Sequence, residues 1–180
     1  NMIGSFDHKN FLKLFTAKKG DPTDVMLLIN LYCIISLKEK QETEYFNKLI
    51  KLFFDNLKLF DSELRYVILN SLFIIVKYKF SISDQDMYKK SRFSIIKFAL
   101  KNEMHIDPIL KYFPRNFFLE YFNFAVSSGE ISWAEGYCKK YLSQVRKEDR
   151  KSLEDYCSII LLFEYNEYEK CLNELNEFDH

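Results

Sequence analysis

The sequence predicts an all-α chain of antiparallel helical hairpins stacked in series, and three observations lead there. First, a short pattern occurs twice near the C-terminal end, as Gly129-Glu130-Ile131-Ser132-Trp133-Ala134 and as Asn166-Glu167-Tyr168-Glu169-Lys170-Cys171. Each copy has a turn residue, a Glu, a bulky apolar residue, two variable positions and a small residue. The apolar spacing that follows is also shared: Ile131, Ala134, Cys138 and Tyr141 match Tyr168, Cys171, Leu175 and Phe178. A repeated turn that opens a repeated amphipathic helix is the signature of stacked hairpins. Second, 4 Gly and 3 Pro in 180 residues are too few for the tight turns of an all-β sandwich, and no Asn-Gly or Asp-Gly hairpin signal occurs. Third, apolar residues recur three or four apart along most of the chain.

Start and stop signals divide the chain into about nine helices. The first is expected from Phe6 to Ala17, with Phe11, Leu14 and Phe15 on one side and Gly20 ending it. Asp21-Pro22 opens the second, Asp as N-cap and Pro at the first helical position; its stripe is Val25, Leu28, Tyr32 and Ile35. After the polar run Lys38 to Glu44, a third helix carries Phe46, Leu49, Ile50, Phe53 and Leu57. Asp61 caps a fourth, with Leu64, Val67, Ile68, Ser71, Leu72 and Ile75. Its β-branched run from Val67 to Val76 could pass for a strand, but its length and spacing favour helix. Ser83 with Asp86 has the form of a capping box and opens a fifth helix bearing Met87, Ser91, Ile95 and Phe98.

A break follows from Asn102 to Pro114. The sixth helix presents Leu119, Phe122 and Val126, and Ser128-Gly129 turns into the seventh. The charged stretch Arg146 to Lys151 is expected to link to the eighth, with Leu153, Tyr156, Ile160 and Phe163, before Asn166-Glu167 turns into the ninth. The last two pairs superimpose at a shift of 37: Leu119 on Tyr156, Phe122 on Ile159, Val126 on Phe163, Ala134 on Cys171. A fainter duplication lies upstream. Leu28 to Ile35 matches Ile68 to Ile75 at a shift of 40, and Leu49 to Phe53 matches Ile95 to Ala99 at a shift of 46. The expectation is one helical-repeat domain over 1–180, with divergent hairpins in 1–103 and two clear ones in 115–180.

The repeated turn resembles the junction of tetratricopeptide repeats, where a small residue lets two helices cross closely. Ala134 and Cys171 match that small position and Tyr168 the aromatic before it. The resemblance covers Asn116 to Phe178 and implies a short right-handed α–α superhelix. The chain departs from the family pattern at four points. Phe122 and Ile159 replace the small residue midway along the first helix, and Ala125 and Leu162 replace the aromatic three residues later. The closing Pro is absent at Arg146, and the spacing is 37 where the family has about 34. The combination of Trp133-Ala134-Glu135, an Arg, a Tyr and Asn166-Glu167-Tyr168-Glu169-Lys170 is also similar to the C-terminal part of large helical proteins of Bacteroidetes, which implies a bacterial source and brings no activity with it.

Composition suits a folded chain rather than a disordered one, with 48% hydrophobic and 29% charged residues. Phe (18), Tyr (12) and an excess of 21 Lys over 5 Arg fit the codon bias of an AT-rich genome. The formal net charge is zero but uneven. Residues 1–115 carry 19 basic and 13 acidic side chains, whereas residues 116–180 carry 7 and 13. Such asymmetry can steer a partner or another copy. Cys33, Cys138, Cys157 and Cys171 form no C-x-x-C pair and lie in apolar stripes, as small buried hydrophobes do. With no N-x-S/T sequon, this points to a reducing, cytoplasmic setting. No apolar leader occupies residues 1–20, and the longest near-apolar stretch, Val25 to Ile35, falls well short of the about 20 residues of a membrane span. The chain is equally readable as a piece of a longer protein.

Chemistry-bearing patterns are sparse. His8, His105 and His180 stand in separate segments, and His105-Ile106-Asp107, which could contribute two ligands, reads better as lone polar loop residues, so no local set of metal ligands forms, and neither metal nor cofactor is expected. No P-loop, G-x-G-x-x-G, G-x-S-x-G or H-E-x-x-H is present. Cysteines on core-facing stripes make poor nucleophiles. Glu120 and Glu164 have no identifiable partner, so no catalytic residue is assigned. Lys9, Lys13, Lys18 and Lys19, and Lys89, Lys90, Arg92 and Lys97, could meet phosphates, though Asp84 and Asp86 interrupt the second group. Trp133 reads as core before it reads as a binding anchor. The functional expectation is a non-catalytic interaction or scaffolding module with a protein partner. The alternative is a nucleic-acid-binding or regulatory helical domain that uses the basic N-terminal half.

Overall fold

The structure is a computed structural model that describes residues 7, 10–12, 15, 21–39, 43–81 and 84–178, the last two in backbone only. The expected first helix lies mostly outside these residues; within it, residues 10–12 are helical. The described residues are otherwise helical, joined by turns, and include no strand; one single-residue parallel bridge joins Phe113 and Val145. No described helix is long and apolar enough to cross a membrane. Contacts divide the chain into two compact units, residues 1–95 and 96–180.

The first unit begins with α1 (Pro22–Lys38). Asp21 caps it by accepting from the Thr23 and Asp24 amides at 2.8 and 3.2 Å, and Pro22 takes the first position, where no amide donor is required. The chain returns as α2 (Glu44–Asp55), whose one-sided pattern buries Phe46, Leu49 and Phe53 against α1. A turn of 3-10 helix (Leu57–Leu59) leads to α3 (Ser62–Phe80), capped by Asp61 through the Leu64 amide at 2.8 Å. α3 packs back on α1. Lys79, buried near the end of α3, donates its ammonium to the Ser36 and Glu39 carbonyls, so the two helices end at the same place. Phe46 meets Phe80 edge-on at 5.3 Å. Full burial of side chains such as these contributes about 1.5–3 kcal/mol each.

α4 (Gln85–Lys101) crosses from the first unit into the second. Asp84, just before its first residue, accepts from the Met87 amide at 2.9 Å; the expected Ser83–Asp86 capping box includes Ser83, which lies outside the described residues. The upstream sequence match is visible as burial at some positions and not at others: Leu28 and Tyr32 are half-buried where Ile68 and Leu72 are buried, and Leu31 is buried where Ser71 is not. Ile29 and Leu69, Ile35 and Ile75, and Ser36 and Val76 are buried, whereas Ile34 and Ile74 face out. Leu49 and Ile95, and Phe53 and Ala99, are buried likewise.

In the second unit, α5 (Arg115–Ser127) and α6 (Ile131–Tyr141) pair as a hairpin. A 3-10 turn (Leu142–Gln144) precedes α7 (Lys147–Glu164), which packs on α6 and α5, and α8 (Tyr168–Phe178) pairs with α7. The charged stretch expected as a linker is therefore mostly the first turn of α7, where Glu148 and Asp149 complement the helix dipole.

From the last residues of α5 and α7 onward the 37-residue repeat holds in the backbone, although α7, with 18 residues, starts earlier than α5, with 13. α6 and α8 each span 11 residues with boundaries 37 apart. α5 and α7 end in the same hydrogen-bonded C-cap. The Glu130 amide bonds the Ala125 carbonyl and the Gly129 amide the Val126 carbonyl; the Glu167 and Asn166 amides bond the Leu162 and Phe163 carbonyls in the same way. These four bonds of 2.9–3.0 Å are two Schellman motifs. A third device recurs at 85 residues, one in each unit. After each 3-10 turn an extended residue, Phe60 or Val145, offers its carbonyl to Nε of the arginine five residues on, Arg65 at 2.7 Å and Arg150 at 2.9 Å. α3 and α7 start three residues before these arginines.

Candidate functional site

Two surface features of the second unit stand out: a cleft lined by lysines and an exposed apolar face. The cleft follows from the row that α6 presents at four-residue spacing. Ser132, Gly136, Lys140 and then Gln144 line one side, with Trp133, Tyr137 and Tyr141 behind them. Lys97, Leu100 and Lys101 from the last turns of α4, with Glu103 and His105 from the following turn, form the opposite wall. The cavity measures about 670 Å³. Its aromatic backing is ordered. Trp133 stacks on Tyr137 with ring centres 5.1 Å apart and planes 14° from parallel, and Tyr137 leans on Tyr141 at 5.4 Å. The Tyr137 hydroxyl donates to the Phe118 carbonyl at 3.1 Å, which locks α6 to α5. Burial pushes the Tyr137 phenol well above its ordinary pKa.

His105 lies in the turn after α4, in keeping with a loop residue, but it is buried. Its ring meets Phe113 and Tyr141 edge-on, and Nε2 lies 2.6 Å from Gln144 Oε1. The turn after α4 carries it inward: Glu103 takes a positive φ of 56° and the Met104 amide bonds the Ala99 carbonyl. Burial lowers the imidazole pKa, against the opposing pull of Gln144 and the Ala99 carbonyl. Asp107, its supposed co-ligand, accepts from the Ile109 and Leu110 amides and so closes a turn.

The apolar face lies on the second hairpin and is best seen through the repeat. In the first hairpin, Cys138 is buried by α7, where Cys157 meets it; the contact and burial push the Cys157 thiol pKa strongly up. The residue 37 positions on, Leu175, is 42% exposed, against 8% for Cys138. Leu172 is 61% exposed, and Phe163 and Tyr168, in edge contact at 5.6 Å, stand out beside it. Of the second stripe only Cys171 is buried among Tyr168, Cys171 and Leu175, because α7 covers the first hairpin and α8 is the last described helix.

Other residues singled out in the sequence scatter. Among the described residues, no group of three or more His, Cys, Asp and Glu could hold a metal ion. Cys33 is half-buried and its thiol is raised to about 11 by burial, so it is protonated and inert at neutral pH. Glu120 and Glu164 are exposed on different helices. His8, His180, Lys9, Lys13, Lys18 and Lys19 lie outside the described residues. In the other basic group Lys89, Lys90 and Lys97 are exposed, but Arg92 turns inward over the Phe73 and Tyr88 rings. Trp133 is half-buried, part core and part cleft wall. The sequence reading overlooked Gly136, Lys101 and Lys140 as a set. Their signals are a lone glycine inside a helix and four-residue spacing along α6.

Comparison with protein-family models, curated proteins and solved structures gave no match for this chain.

Proposed function

We propose that the chain is a non-catalytic protein-interaction module, built from tetratricopeptide-like stacked hairpins and working as part of a larger protein or assembly. One observation carries this reading. The second hairpin repeats the first in backbone and spacing, yet its apolar face, centred on Leu172 and Leu175, stays open where the first is covered by α7. An exposed apolar helix face of this kind has surface to bury against a partner. Acidic residues Glu167, Glu169 and Glu174 flank this face and suit a partner helix with basic edges. The unpaired cysteines fit work in a reducing compartment.

The test is comparative capture from native cells, with wild-type protein beside Leu172→Glu and Leu175→Glu. Both side chains are exposed, so both variants should keep the wild-type melting temperature and lose a stoichiometric protein partner. A partner retained by both variants would remove this face from the reading. Substrate turnover by the purified chain, with no stable partner, would end the reading altogether.

A further inference from the structure

We infer that the cleft lined by Lys97, Lys101, Lys140, Trp133 and Gly136 is a binding site for a small ligand that joins a planar aromatic ring to a phosphate group through a sugar, a nucleoside phosphate in chemical class. This goes beyond the interaction role and does not depend on it. The inference rests on size, charge, an aromatic wall and one glycine that the fold itself does not need.

At about 670 Å³ the cavity is within the roughly 300–1,000 Å³ of ligand sites. Three lysines line it against one acidic residue, Glu103. That excess is local, because the unit that holds the cleft, residues 96–180, is acidic as a whole, with 15 Asp and Glu against 11 Lys and Arg. A positive spot inside a negative surround draws an anion to one place. Trp133 supplies a flat surface at the same wall, stiffened by its stack on Tyr137. His105, held in the core, fixes Gln144 at the cleft edge through the 2.6 Å contact.

Gly136 is the second, independent observation. It sits midway along α6, where glycine costs roughly 0.5–1 kcal/mol relative to alanine. No positive φ demands it, and a Cβ built there meets nothing within 4 Å. Packing inside the protein therefore gives no reason for the missing side chain. An occupant of the cleft does, since glycine lets a ligand approach the helix backbone closely.

The experiment uses Trp133, the only tryptophan of the chain, as reporter. Emission is followed while the purified protein is titrated with ATP and, separately, with tripolyphosphate, at low and at moderate salt. ATP should change the emission saturably, more tightly than tripolyphosphate, and less tightly as salt rises. Lys101→Glu combined with Lys140→Glu should weaken ATP by about tenfold or more. Gly136→Ala should melt a few degrees higher and yet bind ATP several-fold more weakly. A silent tryptophan up to millimolar ATP overturns the inference. Affinity unchanged in the charge-reversed protein or in Gly136→Ala does so too, as does binding of single-stranded RNA without binding of ATP.

Discussion

Asn166 occupies the place that Gly129 occupies 37 residues earlier, and both have the left-handed backbone that ends a helix, with φ of 61° and 80°. Each donates its amide to the carbonyl three residues back, at 3.0 and 2.9 Å, and hands the chain to an 11-residue helix. Glycine adopts this conformation freely, whereas asparagine tolerates it at a cost. Asn166→Gly should therefore raise stability by a few tenths to about 1 kcal/mol. Gly129→Ala should lower it by about 1–2 kcal/mol through backbone conformation alone, because the new Cβ meets nothing within 4 Å. Urea denaturation of both variants checks the pair. Shifts of the same sign would contradict the shared geometry.

Ala134 is fully buried on α6, at the small position of the repeated turn. Ala134→Leu adds three carbons where α5 and α6 meet and should destabilise by about 1–3 kcal/mol through overpacking. An unchanged melting temperature would show that the helices do not cross closely here.

Lys79 is buried with its ammonium on the Ser36 and Glu39 carbonyls, which lie at the end of α1. Lys79→Met keeps most of the aliphatic stem but strands those acceptors, at a cost of about 1–3 kcal/mol. The exposed neighbour Lys77 is the control, and Lys77→Met should change stability little. Equal effects in the two variants would refute the capping role.

His105 makes stability depend on pH. Burial sets its folded-state pKa below the ordinary value of 6.5, so the unfolded chain takes up the proton more readily. Its contribution is full above the unfolded pKa and is lost as pH falls from there through the folded value. Melting temperature should decline on acidification below about pH 6.5, and His105→Gln should flatten that part of the profile. A parallel decline in the variant would assign the loss to other groups.

Much of the architecture was legible because it is local. Asp21-Pro22 and Asp61 cap helices where the side chain and ring dictate it. Gly129 and Asn166 announced the turns, and the shared spacing of Ala134 and Cys171 announced the helices that follow. The arginine device at Arg65 and Arg150 escaped notice, because its acceptor is a backbone carbonyl with no residue signature. His105 does lie in a loop, but its burial was not legible, because a polar side chain in a break looks exposed until the surrounding turn is known.

The sequence by itself determined the all-helical state, the turn positions and the 37-residue period, since these follow from side-chain patterning and backbone preference within a few residues. Only the tertiary structure decided which copy of a shared stripe is covered. Cys138 and Leu175 occupy equivalent positions, yet one is buried under α7 and the other faces out, because burial depends on what packs alongside. The cleft is tertiary for the same reason: α4, His105 and α6 reach it from distant stretches of chain, and no spacing rule connects them.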